Sequence, residues 1–437
     1  NILTLYYREK KEGKKTSNEA IPKNRTLPVA VVTLQEDVIE LEDLATSMSY
    51  QVVYEVLQRR DRPHPKSFVG KGKLSELKEL LQKRPVDLLI FNGSLKPSQH
   101  LLLERELKIE CIDRVRLILN IFATRAFSRE AQLQVHRAKL IYEIPLLREW
   151  IHNAKSGEHP GFLGGGEYET DAYYELIRRQ LSRIDDELRR LETDHSNKRK
   201  QRRKKGFNLV AIAGYTNAGK STLLNALTTE RALVEDRLFS TLSTTTGRMD
   251  GESKQILITD TIGFLSNLPH FMIESFKSTI DEVYFADLVI LVADCSDSIE
   301  EMRRKLETSR GVLFPEVDPH SLVLVLSKKD LASDVLAKVR MARDVVPVRE
   351  VVVLSSATGE GVQELRRVIT STFEYPVEMS FRIPHVEGVN PFLSWLHAHT
   401  EVVKVDYGDD VEVHLFSQEK DHSRIVNHIV ALGGRAI

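Results

Sequence analysis

Short apolar runs alternate with amphipathic stretches over residues 27–130, and this alternation predicts strands separated by helices. The strand candidates are "LPVAVVTL", "QVVYEVL", "VDLLIFN" and "IECID". The stretches "SELKELLQ" (75–82) and "PSQHLLLEREL" (97–107) have the periodicity of helices. Because strands joined by helices of about ten residues pair in parallel, we expect an α/β domain over residues 1–129.

The period changes over residues 130–205, where two long helices are predicted. The first contains Pro145 as a kink, and the second carries an apolar seam with alternating spacings of four and three, formed by Ile177, Leu181, Ile184, Leu188 and Leu191. The Gly-rich stretch "SGEHPGFLGGGEYETD" lies between them. We expect an antiparallel helical hairpin with a flexible tip, followed by a basic linker.

Strands and helices alternate again over 206–375, with strands near 207–213, 255–260, 288–293, 321–326 and 350–354. Residues 376–437 are long enough for a small C-terminal α/β domain, and its final Gly-Gly pair is typical of a helix C-cap. The expected fold class is therefore multidomain α/β, with a mostly parallel sheet in the third domain.

The most specific motif is "GYTNAGKST", which follows an apolar strand and begins a helix. It matches G-x-x-x-x-G-K-[ST], the loop whose backbone amides bind nucleotide phosphates. Lys220 is expected to bridge the β- and γ-phosphates and Ser221 to bind Mg²⁺. Asn217 either helps to hold a monovalent cation such as K⁺ or is a plain loop residue. The predicted nucleotide contacts are Gly214, Tyr215, Thr216, Asn217, Ala218, Gly219, Lys220, Ser221 and Thr222.

A second motif, "ILITDTIGFL", brings Asp260 to the end of another apolar strand, where its carboxylate can join the Mg²⁺ shell. Gly263 leaves room for a backbone amide at the γ-phosphate, and Thr261 and Ile262 complete this predicted contact. Phe264 stands where Ras-type enzymes carry a water-orienting Gln, and a phenyl ring cannot orient water. We therefore expect slow intrinsic hydrolysis that a partner or a rearranged switch accelerates.

The intervening "RLFSTLSTTTGR" is rich in threonine and lies at the distance of a first switch loop. One threonine hydroxyl is expected to join the Mg²⁺ while a γ-phosphate is present and to leave after hydrolysis. The residues alone leave Thr241, Thr244, Thr245 and Thr246 as candidates.

The stretch "LVLVLSKKDL" predicts the loop that recognises the base. Asp330 can accept hydrogen bonds from the ring N–H and the exocyclic amine of guanine, which adenine does not offer there. Ser327 stands where such loops usually offer Asn, so we expect weaker contacts to the base and to the phosphate loop. A backbone amide in "LSSATGEG" is expected to reach the guanine carbonyl. The predicted guanine contacts are Ser327, Lys328, Lys329, Asp330, Ser355, Ser356 and Ala357.

The formal net charge of −1 argues against a general polycation, so any basic surface for nucleic acid must be local. Seven of the eight residues 198–205 are Lys or Arg, which suits RNA or a solvated linker. Cys111 and Cys295 lack metal-ligand spacing, and no run of 18 apolar residues occurs. We expect a cytoplasmic protein without disulfides, structural zinc or a membrane span.

Several stretches resemble the HflX family of ribosome-associated GTPases, and the resemblance covers nearly the whole chain. They are "GYTNAGKST", "FSTL", "DTIGF", "SATGEG", "FVGKGKLSEL", "LIFNGSLKPSQ" and "DRVRLILNIFATRA". Two stretches depart from the family pattern, because "SKKD" replaces N-K-x-D and the hairpin tip lacks an Arg-Gly-Pro-Gly-Glu run. The resemblance implies that Thr241 is the Mg²⁺-linked threonine, with Phe239 and Ser240 beside it at the nucleotide.

The resemblance also implies a Mg²⁺-dependent GTPase that binds GTP, GDP, the large ribosomal subunit and ribosomal RNA. Such a protein acts in ribosome splitting, recycling or assembly, with Lys220, Thr241 and Gly263 as the expected catalytic set. The free protein is expected to be a monomer. Two alternatives stay open: an RNA-binding assembly scaffold with a mainly structural nucleotide site, and a P-loop NTPase that uses ATP or acts on tRNA.

Overall fold

The structure is a computed structural model that describes residues 26–36, 38–156, 166–228, 244–249, 255–266, 268–314, 316–373, 377–417 and 419–437. The chain divides into two compact units. The first unit consists of Asn1–Ile121 and Pro145–His159, and the second of Phe122–Ile144 and Pro160–Ile437. The boundaries of the four domains expected from the sequence stay a prediction.

The first unit contains a four-stranded parallel sheet in the order β2-β1-β3-β4. Its strands are β1 (Leu27–Thr33), β2 (Tyr50–Leu57), β3 (Leu88–Phe91) and β4 (Glu110–Asp113). The helices that follow them are α1 (Ile39–Ser47), α2 (Lys71–Lys83), α3 (Pro97–Leu107) and α4 (Arg114–Arg125). All four predicted strands are present: β1, β3 and β4 are mostly buried, whereas in β2 only Val56 is buried. Sequence reasoning did not predict α1, whose buried face consists only of Leu41, Leu44 and Ala45.

The predicted long helices are α5 (Arg129–Ser156), which continues through Pro145, and α6 (Gly166–Lys204). Salt bridges join Glu130 to His195 and Arg137 to Asp185, so α6 runs antiparallel to the first half of α5. Residues 157–165 of the predicted hairpin tip lie outside the described residues. The rest of that stretch was wrongly predicted as loop, because residues 166–171 form the first turns of α6. The basic linker is a wrong prediction, because residues 198–204 form the last turns of α6.

The second unit contains a six-stranded sheet in the order β10-β9-β8-β5-β7-β6, parallel except for β6. Its strands are β5 (Asn208–Gly214), β6 (Thr245–Arg248), β7 (Ile256–Asp260), β8 (Leu288–Asp294), β9 (Leu322–Ser327) and β10 (Glu350–Val353). The α-helices described around it are α7 (Lys220–Leu227), α8 (His270–Ser275), α9 (Lys277–Tyr284), α10 (Ile299–Leu313), α11 (Val335–Val345) and α12 (Val362–Thr372), with 3-10 turns at Pro319–Ser321 and Lys329–Leu331. Because β5 lies between β7 and β8, the strand order reverses there, and a crevice forms at the carboxyl end of β5.

A second, antiparallel sheet of this unit has the order β12-β13-β11-β14. It consists of β11 (Val377–Pro384), β12 (Glu401–Tyr407), β13 (Asp410–Ser417) and β14 (Arg435–Ala436), with α13 (Val389–His399) and α14 (Glu419–Ala431). The Gly-Gly cap is confirmed, since the Gly433 and Gly434 amides donate to the carbonyls of Val430 and Ile429. Across the described ranges, no helix is both long and apolar enough to cross a membrane.

Candidate functional site

The phosphate loop forms where β5 ends, at Gly214. This glycine has φ +146°, and a Cβ on it would lie 2.3 Å from the carbonyl oxygen of Val292, so only glycine fits. Gly219 and Asn217 also have positive φ angles, of 88° and 59°, and they turn the chain into α7. The motif thus adopts the strand–loop–helix arrangement that it predicts, with backbone amides near the start of a helix.

Lys220 begins α7 and is buried, with 7% of its surface exposed. Its ammonium donates a hydrogen bond of 2.8 Å to the carbonyl of Tyr215. Burial lowers the pKa of Lys220 to about 8, although the carboxylate of Asp260 acts in the opposite direction. A bound phosphate would supply the negative charge that keeps this lysine protonated.

The two residues predicted to bind the metal lie together. The hydroxyl of Ser221 donates a hydrogen bond of 2.6 Å to Oδ2 of Asp260, and both side chains are buried. Such hard oxygen donors suit Mg²⁺, which takes few protein ligands and completes its shell with phosphate and water. The described residues contain no group of three or more His, Cys, Asp and Glu side chains suited to a metal. Next along the chain, the Thr261 hydroxyl donates to the carbonyl of Ile212 and Ile262 is buried.

The segment after Asp260, residues 263–266, lies against the phosphate loop. The Phe264 amide donates to the carbonyl of Gly214, and the Thr216 amide donates to the carbonyl of Phe264, each at 3.0 Å. The Ser266 amide donates to the hydroxyl of Tyr215 at 2.8 Å. A Cβ on Gly263 would lie 2.9 Å from the backbone Cα of Thr216 and 2.9 Å from Nζ of Lys220, and the backbone contact explains why glycine is needed there. Sequence reasoning missed this role of the Tyr215 hydroxyl, because it depends on a contact between two separate motifs.

The threonine-rich switch is described only in part. Phe239, Ser240 and Thr241 lie outside the described residues. Thr245 and Thr246 belong to β6, where Thr245 pairs with Asp260 across the ladder. The hydroxyl of Thr246 lies 3.0 Å from that of Thr259 on β7.

The base-reading loop begins at Ser327, at the end of β9. Its hydroxyl lies 2.7 Å from the carbonyl oxygen of Ala218 in the phosphate loop and 3.0 Å from that of Ala293. The short hydroxyl therefore keeps a direct contact with the phosphate loop, and the expected weakening relative to Asn stays a prediction. Lys328 has φ +56°, and its ammonium pairs with Asp294 at 2.7 Å. Asp294 was not predicted, although its position at the end of "LVILVAD" is a usable signal.

The remaining predicted base contacts lie at the ends of two adjacent strands. Asp330 is exposed in the 3-10 turn after β9, and the Lys329 amide donates to the carbonyl of Leu354, which follows β10. Ser355 is fully buried, and Ala357 is exposed. The structure therefore brings the two predicted loops together at one edge of the sheet. Of the other predicted contacts, Thr222 lies in the first turn of α7, Asn217 is exposed and Ser356 is partly buried.

Comparisons with known proteins agree with this geometry. Residues 209–328 match the family described as 50S ribosome-binding GTPase, residues 35–123 match GTP-binding GTPase N-terminal, and residues 125–202 match GTP-binding GTPase Middle Region. GTPase HflX of Thermococcus kodakarensis is 41% identical over 392 residues, which cover 87% of this chain and 88% of that protein. GTPase HflX of Methanocaldococcus jannaschii is 35% identical over 395 residues, covering 90% and 96%. GTPase HflX of Escherichia coli is 34% identical over 358 residues, covering 81% and 83%. A relative this similar over this length means that the chain belongs to the HflX family of GTPases.

Proposed function

We propose that this GTPase depends on Mg²⁺, binds the large ribosomal subunit and acts in ribosome splitting, recycling or assembly. The observation that carries the proposal is the match of residues 209–328 to a family described as ribosome-binding GTPases. Whether the phosphate loop holds GTP or GDP would control the binding of ribosomal RNA, through the conformation of the switch segments.

The chemistry follows from the residues at the end of β5. Water attacks the γ-phosphorus of GTP, the bond to the β-phosphate oxygen breaks, and GDP and phosphate leave. Lys220 and the loop amides would bind the β- and γ-phosphate oxygens as negative charge shifts between them. Ser221 and Asp260 would hold Mg²⁺, which neutralises phosphate charge, and Thr241 would join it. Phe264 is 5% exposed and carries no polar group, which supports a slow intrinsic rate.

An RNA partner is supported by the last turns of α6. Arg199 and Arg203 are engaged within the protein, by Glu282 and by the carbonyl of Phe285. The lysines of the basic run are exposed, so they are available to bind phosphates. They are Lys198, Lys200, Lys204 and Lys205. A K⁺ ion held by the exposed Asn217 is a further part of the proposal.

Sedimentation of ribosomal subunits with the full chain tests this function. We expect the protein to travel with the large subunit in the presence of a non-hydrolysable GTP analogue and to be released with GDP. Lys220→Ala should lose this difference, whereas Lys404→Ala, which changes an exposed lysine of β12, should keep it. Equal sedimentation with the analogue, with GDP and with Lys220→Ala would instead support a scaffold with a structural nucleotide site.

A further inference from the structure

A cluster of polar side chains, here called the junction, joins both hairpin helices, α5 and α6, to α9, one of the helices around the six-stranded sheet. Glu130 of α5 accepts a hydrogen bond of 2.6 Å from the hydroxyl of Ser278 on α9. The other carboxylate oxygen of Glu130 lies 3.1 Å from Nε2 of His195 on α6. Nδ1 of His195 lies 3.7 Å from Glu282 of α9, which also accepts a hydrogen bond of 2.7 Å from Arg199. One imidazole thus bridges carboxylates from two different helices.

The junction is charged and mostly shielded from water. The side chains of Glu130 and His195 are 20% and 27% exposed, and those of Glu282 and Arg199 are 10% and 12% exposed. Hydrogen bonds to Glu130 and then to Glu282 raise the pKa of His195 to about 9, and burial only partly opposes this shift. At neutral pH the imidazolium and the guanidinium therefore balance the two carboxylates.

Further contacts join the hairpin to the segment that contains α8 and α9. Arg137 of α5 donates to the hydroxyl of Ser275, the last residue of α8, at 3.1 Å, and also to Asp185 of α6 at 2.7 Å. Arg203 of α6 donates to the carbonyl of Phe285, directly after α9, at 2.8 Å. The base of the hairpin therefore fixes α8 and α9 at several points.

The residues before α8 are hydrogen-bonded to the phosphate loop. Residues 263–266 precede α8, and they hold Gly214, Thr216 and Tyr215 through three hydrogen bonds. The segment that must accommodate a γ-phosphate is thus tied to the phosphate loop at its start and to the hairpin at its end. Any rearrangement of residues 263–266 has to work against both attachments.

We propose that Glu130 and His195 restrain GTP hydrolysis indirectly: they hold α9 on the hairpin and so hold residues 263–266 against the phosphate loop. The proposal concerns the purified GTPase and does not rest on a ribosomal partner. In the described conformation, Lys220 is bonded to Tyr215, and Gly263 packs beside it. On this proposal, a γ-phosphate that binds Lys220 displaces this arrangement, so the junction opposes the productive conformation and its loss should speed turnover.

Steady-state kinetics of Glu130→Gln and His195→Gln test the proposal, with Glu187→Gln as the matched control. Glu187 also pairs across the hairpin, with Arg129 at 2.9 Å, but this pair lies on the exposed surface and does not involve α9. We expect kcat for GTP to rise about threefold to tenfold in both junction variants, with KM changed by less than about twofold. The control should keep the wild-type kcat. Equal or lower kcat in the junction variants, or an equal rise in the control, overturns the proposal.

The pH dependence distinguishes positioning from general destabilisation. The groups that face His195 are Glu130 from α5, Glu282 from α9, and Arg199 with Lys198 from α6. Because the folded pKa of about 9 exceeds the ordinary 6.5, the ionic restraint is complete below pH 6.5 and is lost as pH rises through 9. The ratio of kcat in His195→Gln to kcat in wild type should therefore fall towards one above pH 9. A ratio that does not change with pH overturns the proposal.

Discussion

Ser327 connects the base-reading loop to the phosphate loop through one short side chain. It is 2% exposed, and its single hydroxyl lies within hydrogen-bonding distance of the carbonyls of both Ala218 and Ala293. A longer amide at this position could contact the loop and the base at once, whereas a serine hydroxyl cannot span both. We therefore propose that Asp330 selects the base, while Ser327 links the base-reading loop to the phosphate loop.

Lys220 makes nucleotide binding depend on pH. Its pKa of about 8 in the free protein means that half of the molecules carry a neutral amine at pH 8. Bound phosphates require the ammonium, so binding of GDP should take up about half a proton at pH 8. From pH 7 to 8.5 the affinity for GDP should fall roughly fourfold. Calorimetry in two buffers of different ionisation enthalpy measures the uptake, and no proton uptake at pH 8 would contradict the assignment.

At the scale of elements, the turn between β10 and α12 depends on two glycines with different constraints. Both have positive φ angles, 83° at Gly359 and 76° at Gly361. A Cβ on Gly361 would lie 2.4 Å from the carbonyl oxygen of Val353, whereas a Cβ on Gly359 would meet nothing within 4 Å. Gly361 therefore fixes how the loop of Ser355 leaves the sheet.

Urea unfolding of two alanine variants checks this difference. Gly359→Ala should lower the free energy of unfolding by about 1 kcal/mol, the usual cost of a left-handed backbone for a side chain. Gly361→Ala should lower it by about 3 kcal/mol or more, because backbone must also move. Equal losses in the two variants would mean that the close approach to Val353 does not constrain the turn.

The elements that could be predicted from the sequence are those with a strong local signal. The strands β5, β7, β8 and β9 are buried apolar runs, and the phosphate and metal residues stand at fixed positions at their ends. The end of α6 has no apolar periodicity that would predict a helix. Tertiary contacts support the helix there instead, because Arg199 binds Glu282 of α9 and Arg203 binds the carbonyl of Phe285. The link from Tyr215 to Ser266 likewise depends on tertiary contact, which no single stretch contains.

At the scale of the whole molecule, a near-neutral chain combines a nucleotide site with a locally basic helix end. The net charge of −1 gives no general attraction to RNA, so a basic surface must be local, and the exposed lysines at the end of α6 are the proposed one. The same helix contributes His195 and Arg199 to the junction with α9. The helix proposed to meet RNA is therefore joined to the segment that follows the phosphate site.

This account depends on a phosphate loop that holds a nucleotide whose base is selected by Asp330. Calorimetric titration of GDP and ADP into wild type, Asp330→Asn and Asp334→Asn is the most direct measurement, with the exposed Asp334, the residue before α11, as the control. We predict that wild type and Asp334→Asn bind GDP at least about 100-fold more tightly than ADP, and that Asp330→Asn loses most of this preference. Equal affinity for GDP and ADP in wild type, unchanged in Asp330→Asn, would contradict the account.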